Sequence, residues 1–101
     1  MTTITLSDIL DDLRAAEEGM HKFERRYWIS SEDFNDLYSQ GLLDDGENSE
    51  EFAEWSGHFR LRQKRQAALS QLSKERLAGL RRKSKGAAVQ LTPAEPMLRV
   101  G

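Results

Sequence analysis

The stretch RYWISSEDFNDLYSQGLLDDGENSEEFAEW, residues 26–55, decides the fold because it contains both reversals of chain direction that the pattern predicts. It holds six of the eight aromatic residues of the chain. It also holds two signals for a helix start: Ser30 precedes Asp33 by three positions, and Asn48 precedes Glu51 by three. A Ser or Asn placed in this way caps the helix that follows it. We therefore predict that two helices begin inside this stretch.

The first of these helices is predicted to be short, over residues 31–40. Phe34, Leu37 and Tyr38 recur at i, i+3 and i+4, which places them on one apolar face. Gly41 follows, and glycine readily adopts the left-handed conformation that ends many helices. The next seven residues read as a turn.

A longer helix is predicted upstream, over residues 6–27. Thr5 and Asp8 form a variant of the capping box at its start. Its apolar residues repeat at heptad spacing, which is typical of a helix that packs along another helix. They are Leu6, Ile9, Leu13, Ala16, Met20, Phe23 and Tyr27. We expect this face to be exposed in part, which favours a homodimer or a coiled coil with another protein.

The second helix that begins in the opening stretch is predicted over residues 49–84, a length of roughly 55 Å. Phe52, Trp55 and Phe59 form its first apolar face. Beyond Phe59 the apolar stripe moves around the helix, so the distal half is expected to pack less well.

These elements predict an all-α fold in a single domain, residues 1–85. Its two long helices form an antiparallel hairpin, with the short helix between them. Gly86, Pro93 and Pro96 prevent the last helix from continuing. We therefore predict a flexible, disordered C-terminal tail over residues 86–101.

Composition narrows the class of protein. The chain has 101 residues and no cysteine, so neither a disulfide framework nor a thiolate metal site can form. No apolar run approaches the roughly 20 residues that cross a bilayer. The first ten residues lack the basic start and apolar core of a signal peptide. We expect a cytoplasmic protein that does not bind membranes.

Charge is divided strongly along the chain. Residues 1–59 contain 15 acidic and four basic side chains, a net charge of −11. Residues 60–101 contain two acidic and 11 basic side chains, a net charge of +9. Such a chain offers two different surfaces to partners, or folds back with its acids against its bases.

Catalytic and metal-binding patterns are weak. There is no glycine-bracketed serine and no glycine-rich loop for phosphates. Glu18 and His21 have the i, i+3 spacing of di-iron bundles, but Glu54 and His58 are four positions apart, which is the wrong spacing for the second unit. We expect the histidines to pair with Glu17 and Glu54 instead, and we predict no metal, no cofactor and no enzymatic activity.

Most of the aromatic side chains are predicted to form the core, since at helical spacing rings bury the most area per residue. Trp28 and Tyr38 are the two that we expect outside the core, as anchors for a partner protein. An acidic face is predicted beside them. Its members are Asp11, Asp12, Glu17, Asp33, Asp36, Asp44 and Asp45.

The segment over residues 60–85 carries ten basic residues and one acid, which makes a positive rod on a helix. Such a rod could bind a nucleic-acid backbone, an acidic groove on a protein or an anionic membrane. Alternatively, its bases pair with the acidic half of the same chain. The candidate nucleic-acid-binding residues are Arg60, Arg62, Lys64, Arg65, Arg81, Arg82, Lys83 and Lys85.

Residues 23–61 resemble a pattern found in small bacterial and archaeal antitoxin-like proteins. That pattern reads F/Y-x-x-K/R-Y-x-I/M-S/T-S-E-x-F, an acidic spacer, and F-x-E-W-x-x-x-F/Y-x-L. The matching residues are Phe23, Arg26, Tyr27, Ile29, Ser30, Ser31, Glu32, Phe34, Phe52, Glu54, Trp55, Phe59 and Leu61. Two departures are Trp28, where a smaller residue is usual, and the long basic extension after Leu61.

The resemblance implies a non-catalytic antitoxin-like protein whose partner is a ribonuclease-like toxin. The acidic face would occlude the toxin's basic nucleic-acid-binding surface, with fast and salt-sensitive association. The alternative is a nucleic-acid-binding regulator that uses the basic helix. Both activities are compatible, because antitoxins often bind their own operators.

Overall fold

The computed structural model describes residues 4–44 and 46–93, and every regular element in these ranges is helical. There are three α-helices, α1 (Leu6–Tyr27), α2 (Ser31–Ser39) and α3 (Ser49–Ser84). A short 3-10 helix, Gly46–Asn48, leads into α3. The bounds of α1 and α3 equal the predicted ranges, whereas α2 ends one residue earlier than predicted.

The start of α1 is set by the predicted capping box. The Thr5 hydroxyl accepts a hydrogen bond from the backbone N–H of Asp8 at 3.0 Å, and the Asp8 carboxylate accepts one from the N–H of Thr5 at 3.1 Å. Both donors would otherwise lack partners in the first turn. The prediction for this terminus is confirmed.

Both ends of α2 also follow their local residues. The Ser30 hydroxyl accepts from the N–H of Asp33 at 3.1 Å. At the other end Gly41 has φ +70°, its N–H bonds the Tyr38 carbonyl, and the N–H of Leu42 bonds the Leu37 carbonyl. This pair of bonds is the Schellman motif, and glycine adopts its positive φ without the steric strain that a Cβ would cause.

The predicted cap of α3 is wrong in its chemistry. Asn48 occupies the N-cap position, but its side chain makes no capping hydrogen bond. Its φ and ψ are −104° and 17°, because the 3-10 helix runs directly into α3. An N-cap side chain reaches the first turn from an extended backbone, which is not the conformation here.

α1 and α3 contact each other along most of α1. Tyr27 bonds Glu51, Gly19 lies against His58, and Asp12 pairs with Arg65. The heptad stripe of α1 is used in this contact, with Ile9, Ala16, Met20 and Phe23 buried. α3 of the same chain therefore covers much of this face, whereas Leu6, Leu13 and Tyr27 stay partly exposed, and the homodimer or coiled coil with another protein stays a prediction.

α3 is much longer than α1 and extends past its start. Since Asp12 is level with Arg65, the beginning of α1 is level with about residue 71 of α3. The 13 residues beyond it add about 20 Å at 1.5 Å per residue. We call residues 73–85 the projecting end; the longest dimension of the molecule is 57 Å.

After α3 the chain turns back, with Lys85 and Gly86 both at positive φ. Arg76 donates a hydrogen bond to the Thr92 carbonyl, so residues 86–93 return along the projecting end without helix. Residues 94–101 lie outside the described ranges, and the predicted disorder of the tail stays a prediction.

Candidate functional site

The three helices meet around the Trp55 ring, which is 1% exposed. The Phe34 ring stacks on it with centroids 3.9 Å apart and planes within 3°. Phe23 and Tyr27 stack on it from α1 at 5.6 Å and 5.7 Å. We call this cluster, formed by Phe23, Tyr27, Phe34 and Trp55 where the three helices meet, the junction. It confirms that most of the aromatic side chains form the core.

A chain of hydrogen bonds joins one residue from each helix inside the junction. The Trp55 indole N–H donates to the Ser31 hydroxyl at 2.8 Å. The Ser31 hydroxyl donates in turn to the Glu24 carboxylate at 2.6 Å, and the Ser31 backbone N–H donates to the same oxygen at 3.0 Å. Because a buried N–H without a partner destabilises the fold, this chain fixes how α1, α2 and α3 meet.

Glu24 is held in its ionised form. Partial burial acts to raise the pKa of its carboxyl group, but the hydrogen bonds from Ser31 and His21 outweigh burial and lower the pKa below 4.5. His21 Nδ1 lies 2.8 Å from the second carboxylate oxygen. The carboxylate therefore accepts bonds on both oxygens.

Trp28 lies at the opposite extreme of exposure. Its side chain is 92% exposed, the largest value among the exposed large hydrophobic residues of the described ranges. It ends α1 in the left-handed conformation, φ 59° and ψ 40°, with its N–H bonded to the Glu24 carbonyl at 2.8 Å. Glycine is the usual residue in this conformation, because it has no Cβ that meets the backbone.

Tyr38, the second predicted anchor, is placed differently. Its ring is half-buried and stacks on Phe34 with centroids 5.2 Å apart. It belongs to the edge of the core, because Phe34 and Tyr38 are neighbours at i, i+4 on the buried face of α2. Of the two proposed anchors, Trp28 is the one that lies in solvent.

The predicted acidic face is only partly assembled. Asp33, Asp36 and Asp44 are exposed on α2 and the turn after it. Asp11 is exposed on α1 and Glu17 is half-buried there.

Two members of that face stand apart. Asp12 is occupied by Arg65, whose Nε lies 2.7 Å from its carboxylate. Asp45 lies outside the described residues. The exposed acids on α2 and the turn after it follow Trp28 in the chain.

The basic candidates divide into two groups. Arg62 pairs with Glu32 at 2.8 Å and Arg65 pairs with Asp12 at 2.7 Å, both within the body of the molecule. The remaining candidates are exposed. They are Arg60, Lys64, Arg81, Arg82, Lys83 and Lys85.

Sequence reasoning missed Glu24 and the role of Ser31. A usable signal was present, since Ser31 lies three positions before Phe34 and so falls on the buried face of α2. A serine on such a face needs a partner for its hydroxyl. The sequence could not show that the partners come from two other helices.

The histidines have ordinary pairings. His21 bonds Glu24, so its expected partner Glu17 is wrong. His58 faces Glu54 at 3.5 Å as expected, and its ring lies over Gly19, where a Cβ would come within 2.5 Å of it. Within residues 4–44 and 46–93 no three His, Asp or Glu side chains are grouped to hold a metal ion.

None of the described helices has the length and the apolar composition that crossing a bilayer requires. A comparison with protein-family models, with curated proteins and with solved structures finds no significant match. The resemblance to antitoxin-like proteins stays a prediction. Function must therefore be inferred from the residues of this chain.

Proposed function

We propose that this chain is a small, non-catalytic, antitoxin-like protein that binds and occludes a partner protein through its junction end. In this proposal α1 and α3 form an antiparallel hairpin that holds α2 across one end. Trp28 inserts into an apolar pocket of the partner, and the acids on α2 and the turn after it meet a basic surface around that pocket.

The exposure and conformation of Trp28 carry the proposal. A left-handed backbone costs a residue with a side chain about 1–2 kcal/mol. A solvated indole contributes little burial within the chain to offset that cost. Strain of this kind at an exposed aromatic residue is typical of a binding position, and Trp is strongly enriched among residues that dominate interfaces.

Hydrogen bonds through Glu24 connect the backbone of Trp28 to the junction. Its backbone N–H is bonded to the Glu24 carbonyl, and the Glu24 side chain is bonded to Ser31. An indole presented on a fixed backbone loses little freedom on binding. This favours an anchor over a side chain that is exposed by chance.

Charge supports a basic partner. Asp33, Asp36 and Asp44 are exposed on α2 and the turn after it. Acids in this arrangement speed association with a positive surface and make the association salt-sensitive. A ribonuclease-like toxin has such a surface where it binds RNA, so covering that surface would block the toxin.

The test is co-expression with the product of the reading frame adjacent to its gene. We expect the adjacent product alone to slow growth, and the wild-type chain to restore growth and to form a complex. Trp28→Ala should weaken that complex by roughly 30-fold or more, the effect of a hot-spot residue. Leu10→Ala removes another exposed apolar side chain, 48% exposed and near the other end of α1, and is the matched control.

Two results would overturn the proposal. One is the absence of any complex at low salt with the adjacent product. The other is a complex that Trp28→Ala weakens no more than Leu10→Ala does.

A further inference from the structure

The projecting end of α3 is strongly basic and lies away from the junction. Residues 73–85 contain six bases and one acid, Glu75, a net charge of +5. All six bases are exposed. They are Lys74, Arg76, Arg81, Arg82, Lys83 and Lys85.

These bases differ from two arginines nearer the junction. Arg62 and Arg65 are held by carboxylates of α2 and α1. No base of the projecting end forms an ion pair with a residue of the ranges 4–44 and 46–93. The acids of α1 cannot reach them, because α1 begins level with about residue 71.

The returning tail covers one side of the projecting end. Arg76 donates to the Thr92 carbonyl, and Leu80, Lys83 and Val89 line a common hollow. Lys74 and Arg81 are seven residues apart on α3, so they lie within about 20° of one another on a different side of the helix, and Lys85 follows at the C-cap. These three residues form a line of about 16 Å along the axis.

We propose that this line binds the phosphate backbone of duplex nucleic acid. Repeated phosphates are the polyanion that a straight row of cations matches, and each contact releases condensed counterions. The proposal does not depend on the partner-binding function, because it uses the opposite end of the molecule.

The composition of the segment favours a duplex over single strands and membranes. Residues 60–85 contain no aromatic side chain on which unpaired bases would stack. A helix that lies on a membrane needs a broad apolar face, often with Trp or Phe. Here Leu77 is 40% exposed and Leu80 is half-buried beside the tail, which leaves a narrow apolar strip.

The rest of the chain restricts how a duplex can bind. Residues 1–59 have a net charge of −11, which repels phosphate. Binding is therefore confined to the projecting end, and the junction end points away from the nucleic acid.

The experiment uses the full chain and a fluorescently labelled, mixed-sequence DNA duplex of about 24 base pairs. The triple variant Lys74→Gln, Arg81→Gln, Lys85→Gln removes three charges from the projecting end. The control Arg14→Gln, Lys22→Gln, Arg25→Gln removes three exposed charges from α1, in the body of the molecule. Circular dichroism should show equal helix content in the two variants.

We expect the affinity of the wild-type chain to fall about 40-fold between 50 and 200 mM salt, as three phosphate contacts imply. The variant of the projecting end should bind at least about 10-fold more weakly at 50 mM salt, with a nearly flat salt dependence. The control variant should stay within about 3-fold of the wild type and keep its salt slope.

Several outcomes would overturn the proposal. No binding of the duplex at 50 mM salt removes it, and so does an equal loss in both triple variants. Tighter binding to an unpaired strand of the same length replaces the duplex by single strands. Binding to phosphatidylserine vesicles in preference to the duplex assigns the projecting end to membranes.

Discussion

The junction and the projecting end lie on the same protein, but the junction buries its side chains between three helices and the projecting end exposes them. In the junction Trp55 is 1% exposed and its indole N–H is bonded to Ser31. Beyond residue 72 the α3 helix has no described helix alongside it, and its bases are exposed. The comparison shows that a side chain's role here depends on which helix lies opposite it.

The arginines of α3 make the same point. Arg62 and Arg65 face carboxylates of α2 and α1, whereas Arg81 and Arg82 extend past the start of α1. An ion pair within the chain is worth little stability at a partly exposed site, but it occupies a charge that a partner would otherwise bind. Only the second pair is therefore free to recruit a polyanion.

The largest expected effect comes from removing the ring at the centre of the junction. Trp55→Ala should lower the free energy of unfolding by about 3–5 kcal/mol, because it empties a cavity between three other rings. Urea denaturation followed by circular dichroism measures this. Leu77→Ala, on the projecting end, should change it by less than about 0.5 kcal/mol. Similar losses in the two variants would mean that the two regions do not differ.

Ser31→Ala isolates the polar part of the junction. It leaves the Trp55 N–H without its acceptor and removes a donor from Glu24, so the expected loss is about 1–3 kcal/mol of unfolding free energy. Ser70→Ala, on an exposed position of α3, is the control and should be within about 0.5 kcal/mol of the wild type. Equal stability of the two variants would show that the hydrogen-bond chain does not hold the helices together.

Trp28 is expected to respond in the opposite direction. Trp28→Gly removes the left-handed strain and should raise the free energy of unfolding by about 1 kcal/mol, net of the greater freedom of glycine in the unfolded chain. Trp28→Ala keeps the strain and should be within about 0.5 kcal/mol of the wild type. Both should weaken partner binding equally. A Trp28→Gly protein less stable than the wild type would show that the indole supports the fold.

Acid should weaken the junction by a smaller amount. Because the pKa of Glu24 is lowered in the folded protein, its carboxylate stabilises the folded state at pH above the ordinary pKa of 4.5. This contribution is lost as the pH falls through the folded pKa, since the protonated carboxyl group accepts weaker hydrogen bonds. Ser31→Ala removes much of the cause, so its stability should fall less than that of the wild type between about pH 5 and pH 3. Urea midpoints across this range measure the difference.

The background of that experiment is set by other carboxylates. Glu32 and Glu54 have lowered pKa values, caused first by hydrogen bonds from Arg62 and from Lys22. Both carboxylates are present in the wild type and in Ser31→Ala, and both also lose their stabilising effect as the pH falls. Parallel pH profiles for the wild type and Ser31→Ala would therefore contradict the role assigned to Glu24.

Helix positions were largely predictable because their signals are local. The Thr5–Asp8 box, the Ser30 cap and the glycine after α2 each act within one turn of chain, and the structure confirms all three. The Asn48 cap failed because the preceding residues form a 3-10 helix, which a capping pattern does not reveal.

Placement of the candidate site was less predictable. Trp28 was expected in solvent and is there, but Tyr38 is stacked on Phe34 and Asp12 is paired with Arg65. These contacts depend on the register between distant segments, and a periodic pattern does not predict that register. The charge division was visible in the sequence, although which bases are neutralised was not.

The amino-acid sequence by itself determined where the helices begin and end, that rings would form the core, and that the two halves carry opposite charge. Those properties follow from capping, periodicity and composition, which act between near neighbours. Only the tertiary structure decided that Ser31 joins Glu24 to Trp55, that Asp12 pairs with Arg65, and that α3 extends past α1. Each of these depends on which residues of separate helices come level with one another, and packing of the whole chain sets that alignment.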